Sequence, residues 1–416
     1  MRWKTGIFLL LVAGLVTAAG QSPETVTITW SFWGSPEEVV DHFRVLQAFQ
    51  ASHLNIVVEV QNAPWASYFD RLTTQFAAGA APDVMFMAPF YFNRVVGEGL
   101  LRPVDDLIVE SNVDISNYNQ PLLDIFRFQG QLYGFPRDND TQVLFYNKDL
   151  LDAAGVPVPD SSWTWDTLRS AAQALTKREG DRTTQWSFAT TQDQFILFPR
   201  SFGGDYFDDP INPTTFTLDD PPAIAGLQFM SDLINVDKTM VPFPAFSQIG
   251  GVNDLFATGR LALAITNLPA SLSFRDVGFS WDVAPLPAGP GGRRVNSLGG
   301  AGFVINANAS HLPEAWEFLR FLAFEGQALY AQAGTAVPAL NTPEVAAAFA
   351  ASPPANKAIA ISEAQNGILN PQIPEFSMIR SQFIFPAVER IAIGDATPQE
   401  AMDAIAPQIE EILASQ

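Results

Sequence analysis

The chain has no cysteine, and only three histidines, His42, His53 and His311, in 416 residues. Without a thiol, disulfides, zinc ribbons, iron–sulfur clusters and cysteine nucleophiles are excluded. The histidines stand in three separate stretches, so no metal site is expected, and no cofactor is implied. Positive charge is also scarce: 23 Lys and Arg face 44 Asp and Glu, a formal charge of −21. A surface this negative repels a polyphosphate, and nucleic acid is not an expected partner. Apolar residues are plentiful at 47%, which is ordinary for a folded globular chain and argues against disorder. At roughly 100–200 residues per domain, the length suggests two domains.

Residues 1–21 read MRWKTGIFLLLVAGLVTAAGQ. Arg2 and Lys4 form a basic start, Ile7 to Val16 an apolar core, and Thr17 to Gly20 a small-residue exit. This is the pattern of a secretory signal peptide over 1–20. The apolar run is about half the roughly 20 residues a spanning helix needs. No cysteine follows that could carry a lipid. A soluble, exported, periplasmic protein with a cleaved leader and no lipid anchor is expected.

Beyond the leader, hydrophobic periodicity alternates between two and 3.6 residues. VTITW (26–30) reads as a strand and SFWGSP (31–36) as a turn. A helix follows with Val40, Phe43, Val45, Leu46 and Phe49 on one side. NIVVEV (55–60) is a second strand, 68–78 a helix with Leu72 and Phe76 inward, and PDVMFMA (82–88) a buried parallel strand. That order implies an α/β fold with mainly parallel sheets. In such sheets ligands bind beyond the carboxyl ends of the strands, here at 33–36 and 89–91. Further on, 134–146 reads as a polar loop feeding a strand. Residues 163–177 read as a helix capped by Thr164 or Asp166. Strands are expected at 261–265, 281–284 and 303–305, a helix at 313–330, and a helical C-terminal stretch. PLPAGPGG (285–292) reads as a chain crossing or an exposed loop.

Eight segments in fixed order carry a resemblance: PDVMFM, GEGLLRPVDDLI, LYGFPRDNDTQVLFYNKDLLDAAGV, TWDTL, LFATGRLALAITN, SWDVAPLP, GGAGFVI and PEAWEFLRFLA. Together, over about Val26 to Ile412, they resemble the extracellular solute-binding proteins of sugar-type ABC importers, the maltose-binding-protein group. The most specific piece is FYNKDLLDAAGV, 145–156. The resemblance implies a two-lobed periplasmic-binding-protein fold of type II, with ligand closed in the cleft between lobes. By analogy the N-terminal lobe holds 24–136 plus 288–335 and the C-terminal lobe 137–287 plus 336–416. It also implies a carbohydrate ligand, the transmembrane subunits of an ABC permease as partner, a monomer, and no catalysis.

A sugar cleft needs flat aromatic faces and polar groups that satisfy hydroxyls. Among the nine Trp, Trp33 follows the first strand and Trp65 opens the second helix, and both are cleft candidates. Trp30, Trp186, Trp281 and Trp316 fall on strand or helix stripes and are expected in the core. Asp138, Asn139 and Asp140 follow Pro136 at the expected crossing; a carboxylate there can accept two hydroxyl hydrogen bonds, although Asp and Asn also favour plain turns. The stretch PRDNDT resembles a ligand-contacting P-[KR]-D-x-D-T pattern of sugar-binding relatives. Gly299 and Gly300 lie in a loop that in the family lines the cleft. Asn267 starts a segment where relatives often carry a stacking Trp; here Pro269 and Ala270 stand instead. Phe376 and Arg380, with Gln382 and Phe385, lie where relatives place another aromatic contact, and Gln192 and Asp193 are further candidates.

The rival class is a secreted carbohydrate hydrolase. Glycosidases need two acids about 5–10 Å apart on opposite sides of the scissile bond. Asp138 and Asp140 share one loop and are poorly placed to do so, and no GxSxG or HExxH motif is present. Within the binding class the aspartate pair would also suit a polyamine, and Arg137 with Arg380 a glycerol phosphate.

Overall fold

The computed structural model describes residues 25–415 apart from positions 35, 181, 335, 336 and 352. The leader expected at 1–20 lies outside the described residues. Two five-stranded sheets organise the chain. In chain order their strands are β1 (Val26–Trp33), β2 (Ile56–Ala63), β3 (Val84–Met87), β4 (Gly134–Pro136), β5 (Gln142–Asn147), β6 (Lys177–Glu179), β7 (Arg182–Thr190), β8 (Leu261–Asn267), β9 (Trp281–Ala284) and β10 (Gly302–Ile305). The first sheet runs β2-β1-β3-β10-β4 and the second β9-β5-β8-β7-β6.

In the first sheet β1 pairs parallel with β2 and β3, while β10 is antiparallel to both neighbours. In the second, β7 and β8 are parallel, and β5 is antiparallel to β8 and β9. The edge strand β6 turns back antiparallel to β7, and the other two reversed strands, β5 and β10, enter a sheet directly from the other one. Residues 137–141 carry the chain outward and 285–301 carry it back. The fold is therefore the α/β architecture that the alternating pattern predicts, in the two lobes that the resemblance implies. The mainly parallel sheets expected are not found: parallel pairing is confined to β2-β1-β3 and β7-β8, because strands that cross from the other lobe or turn back at an edge enter reversed.

Local chemistry explains most boundaries. All four residues of β3 are buried, which is why its sequence is a continuous apolar run. Thr164 caps the helix Trp165–Leu175 by accepting the Thr167 N–H, as its side chain favours. Three local expectations need correction. β1 does not stop at Trp30: Ser31–Trp33 stay paired with Gln61–Ala63 of β2, so Trp33 ends a strand and does not stand in a turn. In the helix α1 (Pro36–Ser52) the buried stripe is His42, Val45, Leu46 and Phe49, with Val40 and Phe43 exposed. The helix expected at 313–330 breaks at Phe324 into Leu312–Ala323 and Glu325–Ala333. Of the two readings of 285–292, the crossing holds for the buried residues 285–289, and exposure is limited to 290–292.

Two hydrophobic clusters form the core: the first covers the first sheet and extends to one face of the second, where Phe145, Leu261 and Val283 belong to it, and the second covers the other face of the second sheet. Trp30, Phe86, Phe303 and Phe318 belong to the first, joined by Val345 and Phe349 of the helix Pro343–Ala350. Trp165, Phe188, Phe198 and Leu227 belong to the second, where the C-terminal helices add Ile391, Met402 and Ile409.

Candidate functional site

The strand ends and the crossings meet between the lobes around two adjoining cavities of about 470 Å³ and about 400 Å³. Trp65, Asp140, Thr266, Asn267 and Gly300 line both cavities, so the two are compartments of one cleft. Its size falls in the range of small-molecule sites.

The outward crossing sets the chemistry. Asp138 and Asn139 form a short strand against Val337–Pro338. Arg137 is buried with its guanidinium over the Phe86 ring, 4.6 Å from the centroid. It donates to the Asp138 carboxylate, which also accepts the Ala301 N–H at 3.1 Å. Asn139 is 0% exposed; its amide donates to Thr141 Oγ1 at 2.8 Å and accepts the Gly299 N–H at 3.1 Å. Asn139 lines neither cleft cavity. Asp138 and Asn139 thus tie the two crossings together, while the Asp140 carboxylate has no hydrogen-bond partner among the described residues. Gly300 makes this approach possible. It sits at φ +121°, and a Cβ there would lie 2.3 Å from the Asp138 carbonyl oxygen, a position open to glycine alone.

The first lobe contributes aromatic faces. Trp33 stacks on Phe86 with centroids 4.1 Å apart and meets Trp65 edge-on at 5.1 Å. Trp65 is the first residue of α2 (Trp65–Ala77) and 52% exposed. Phe90, in α3 (Pro89–Gly97), lies 5.7 Å from it. An indole braced by Trp33, Phe69 and Phe90 and left half in solvent is a ready stacking platform.

The second lobe supplies a polar wall. Asn267 Oδ1 accepts from Gln142 Nε2 at 3.1 Å and from Gln194 Nε2 at 2.8 Å. Gln142 in turn donates to the Asp140 carbonyl at 2.6 Å and accepts the Ser297 N–H at 3.0 Å. Phe376 meets Tyr206 edge-on at 5.0 Å, and Arg380 pairs with Asp193 at 3.3 Å. All four line the larger cavity. Beneath it Arg200, fully buried, holds Asp205 at 2.9 Å, the Ser297 hydroxyl and Asn370 Oδ1 at 3.1 Å, and the Ile368 and Leu369 carbonyls. Gln192 turns away to the Phe385 carbonyl and Glu389, so its neighbours Asp193 and Gln194 are the cleft residues of that turn. Tyr206, Gln194, Glu38 and Arg200 carry no signal in the sequence pattern.

Electrostatically the cleft is under-neutralised. Asp138 and Asp140 line the smaller cavity, with Arg137 the one cation among its described lining, and that cation is already engaged by Asp138. Burial raises the Asp138 pKa, and Arg137 opposes it. For Asp140 burial comes first and the Asp138 charge adds to it; its pKa is pushed up to about 7. A group that donates to this carboxylate would restore its charge.

With this cleft described, comparison with known proteins decides the family. Residues 38–329 match the bacterial extracellular solute-binding protein model. The chain belongs to that family. Among its relatives, the arabinooligosaccharide-binding protein of Bacillus subtilis is 28% identical over 76% of this chain and 73% of its own length. The galactooligosaccharide-binding protein of the same organism is 25% identical over 97% and 96%. An ABC substrate-binding protein of Listeria monocytogenes, solved with cycloalternan, superposes with a TM-score of 0.85 at 25% identity, covering 94% of this chain and 100% of its own. The fold is the two-lobed type II binding-protein fold, and the chain is an extracellular solute-binding protein. Among the described residues, no helix is long and apolar enough to cross a membrane.

Proposed function

We propose that this protein is the periplasmic substrate-binding component of an ABC importer, capturing a mono- or oligosaccharide in the cleft for delivery to the membrane permease. The observation that carries this reading is that a half-exposed Trp65 and an unpartnered Asp140 line both cavities. One offers a face for the C–H side of a sugar ring, the other accepts from its hydroxyls. The oligosaccharide ligands named for the relatives and the solved neighbour support the same reading. Trp33, Trp65, Asp140, Asn267, Gly300, Phe376 and Arg380 are assigned to ligand contact, Gly299 to the loop backbone beside it, and Asp138 and Asn139 to holding the crossings. The lobes divide as 24–136 plus 288–335 and 137–287 plus 336–416, save that the helix Pro343–Ala350 packs with the first cluster; the leader is cleaved, and the mature protein works as a monomer without a lipid anchor. It performs no catalysis.

A thermal-shift screen against neutral oligosaccharides, polyols, glycerophosphodiesters and polyamines, with chromatography of the sugar afterwards, tests this. The reading requires a rise in melting temperature with one class of neutral sugar and recovery of that sugar intact. Shorter sugars in the eluate would identify a hydrolase, and a shift with amines or glycerophosphodiesters alone would replace the carbohydrate.

A further inference from the structure

The strands that end in the cleft also have a far end, and there the charge reverses. β7 and β8 lie parallel, with Thr190 beside Ile265 and Trp186 beside Leu261. Arg182 and Thr190 are the two ends of β7, so at about 3.3 Å per residue the far end lies roughly 25 Å from the cleft. A groove of about 860 Å³ opens there, lined by Arg178, Arg182, Lys238 and Arg260, and no acidic residue is among its described lining.

Arg178 and Arg182 stand on the two strands of one hairpin, where Glu179 lies opposite Arg182 in the register, and Lys238 and Arg260 are brought to them from two other segments by backbone bonds. Arg178, on the edge strand β6, sits opposite Thr183 and donates to the Lys238 carbonyl. The Arg260 carbonyl accepts the Trp186 N–H at 3.0 Å, and its guanidinium donates to the Ile249 carbonyl at 3.2 Å. None of the four forms an ion pair with a described carboxylate. The neighbouring Asp232 and Asp237 are held by Arg169. Elsewhere in this acidic chain arginines do find carboxylates, as Arg94 does in Glu98 and Arg320 in Glu317. Basic residues on an edge strand often serve only to block strand pairing. That accounts for Arg178 but not for Lys238 and Arg260, which arrive from other elements. Trp186, read as core from its position on a strand, is partly exposed on the groove wall, and its indole N–H has no acceptor among the described residues.

We propose that this groove is a second binding site, independent of the cleft and its ligand, for a compact molecule carrying at least two anionic groups, phosphate or carboxylate. Guanidinium forks match both groups in geometry and charge, and a single anion would satisfy only part of the cluster. Calorimetric titration of the full protein with tripolyphosphate and with citrate, at low and high salt, tests it. Saturable one-to-one binding of either probe is expected, weakening with salt. It should fall roughly tenfold or more in the double variant Arg182→Ala, Arg260→Ala and stay unchanged in Asp140→Ala. The double variant should keep the parent's thermal transition, since both side chains are exposed. Absence of saturable binding to both probes, equal binding by the double variant, or binding only to vesicles of anionic lipid would each overturn the proposal.

Discussion

The cleft and the distal groove of the second lobe are opposite solutions to one problem. In the cleft, carboxylates gather around too little positive charge; in the groove, cations gather with no carboxylate among the described lining. The formal charge of −21 describes neither place. Charge left unbalanced locally has a cost that only a ligand or solvent relieves, so these two regions are where ligand chemistry is to be sought. Buried Arg200 shows the contrasting case, a cation fully engaged by its own fold.

The largest expected effect separates engaged charge from unbalanced charge. Arg200→Leu removes the cation that joins Asp205, Ser297 and two carbonyls, and should cost about 3–5 kcal/mol in denaturant unfolding. Arg182→Ala in the groove should stay within about 0.5 kcal/mol of the parent. Equal losses would erase the distinction.

Next in size, Asp140→Ala should weaken binding of the true sugar by about 1.5–3 kcal/mol, the range for hydrogen bonds to a charged group, measured by titration calorimetry. Smaller still is an effect on the ligand-free protein. The Asp140 pKa rises from the usual carboxylate value to about 7 in the fold. A raised acid pKa gives stability that is complete below the unfolded value and is lost as pH climbs through about 7. Asp140→Asn removes that loss, so it should be more stable than the parent by about 1–3 kcal/mol at pH 8 and equal to it at pH 4. Thermal unfolding at the two pH values checks this; equal stability at pH 8 would mean that the carboxylate is not under strain.

The fold was largely legible because its signals are local. The apolar run 82–88 pointed to a buried strand, found at Val84–Met87, and of the two cap candidates Thr164 and Asp166 it is Thr164 that caps the helix. β1 was cut short at Trp30 because SFWG looks like a turn in isolation, whereas its pairing with Gln61–Ala63 is a long-range fact. The site was legible where a strand end or a motif pointed at it: Trp65, Asp140, Asn267, Gly300 and, from the expected 89–91 loop, Pro89 and Phe90 at the start of α3 all line the cleft, while Tyr91 does not. Within PRDNDT the division of labour was hidden, since only the packing of Arg137 and Ala301 engages Asp138 and leaves Asp140 free. Tyr206 lies in a stretch without periodicity. The cations of the groove are spread from Arg178 to Arg260 and never form a run.

The most direct test of the central claim is a structure of the complex with the oligosaccharide that gives the largest thermal shift. The account predicts a sugar ring on the exposed face of Trp65 and ring hydroxyls donating to the Asp140 carboxylate, with Asp138 still bound to Arg137. A sugar seated away from the cleft, or an Asp140 carboxylate that makes no contact with it, would contradict the account.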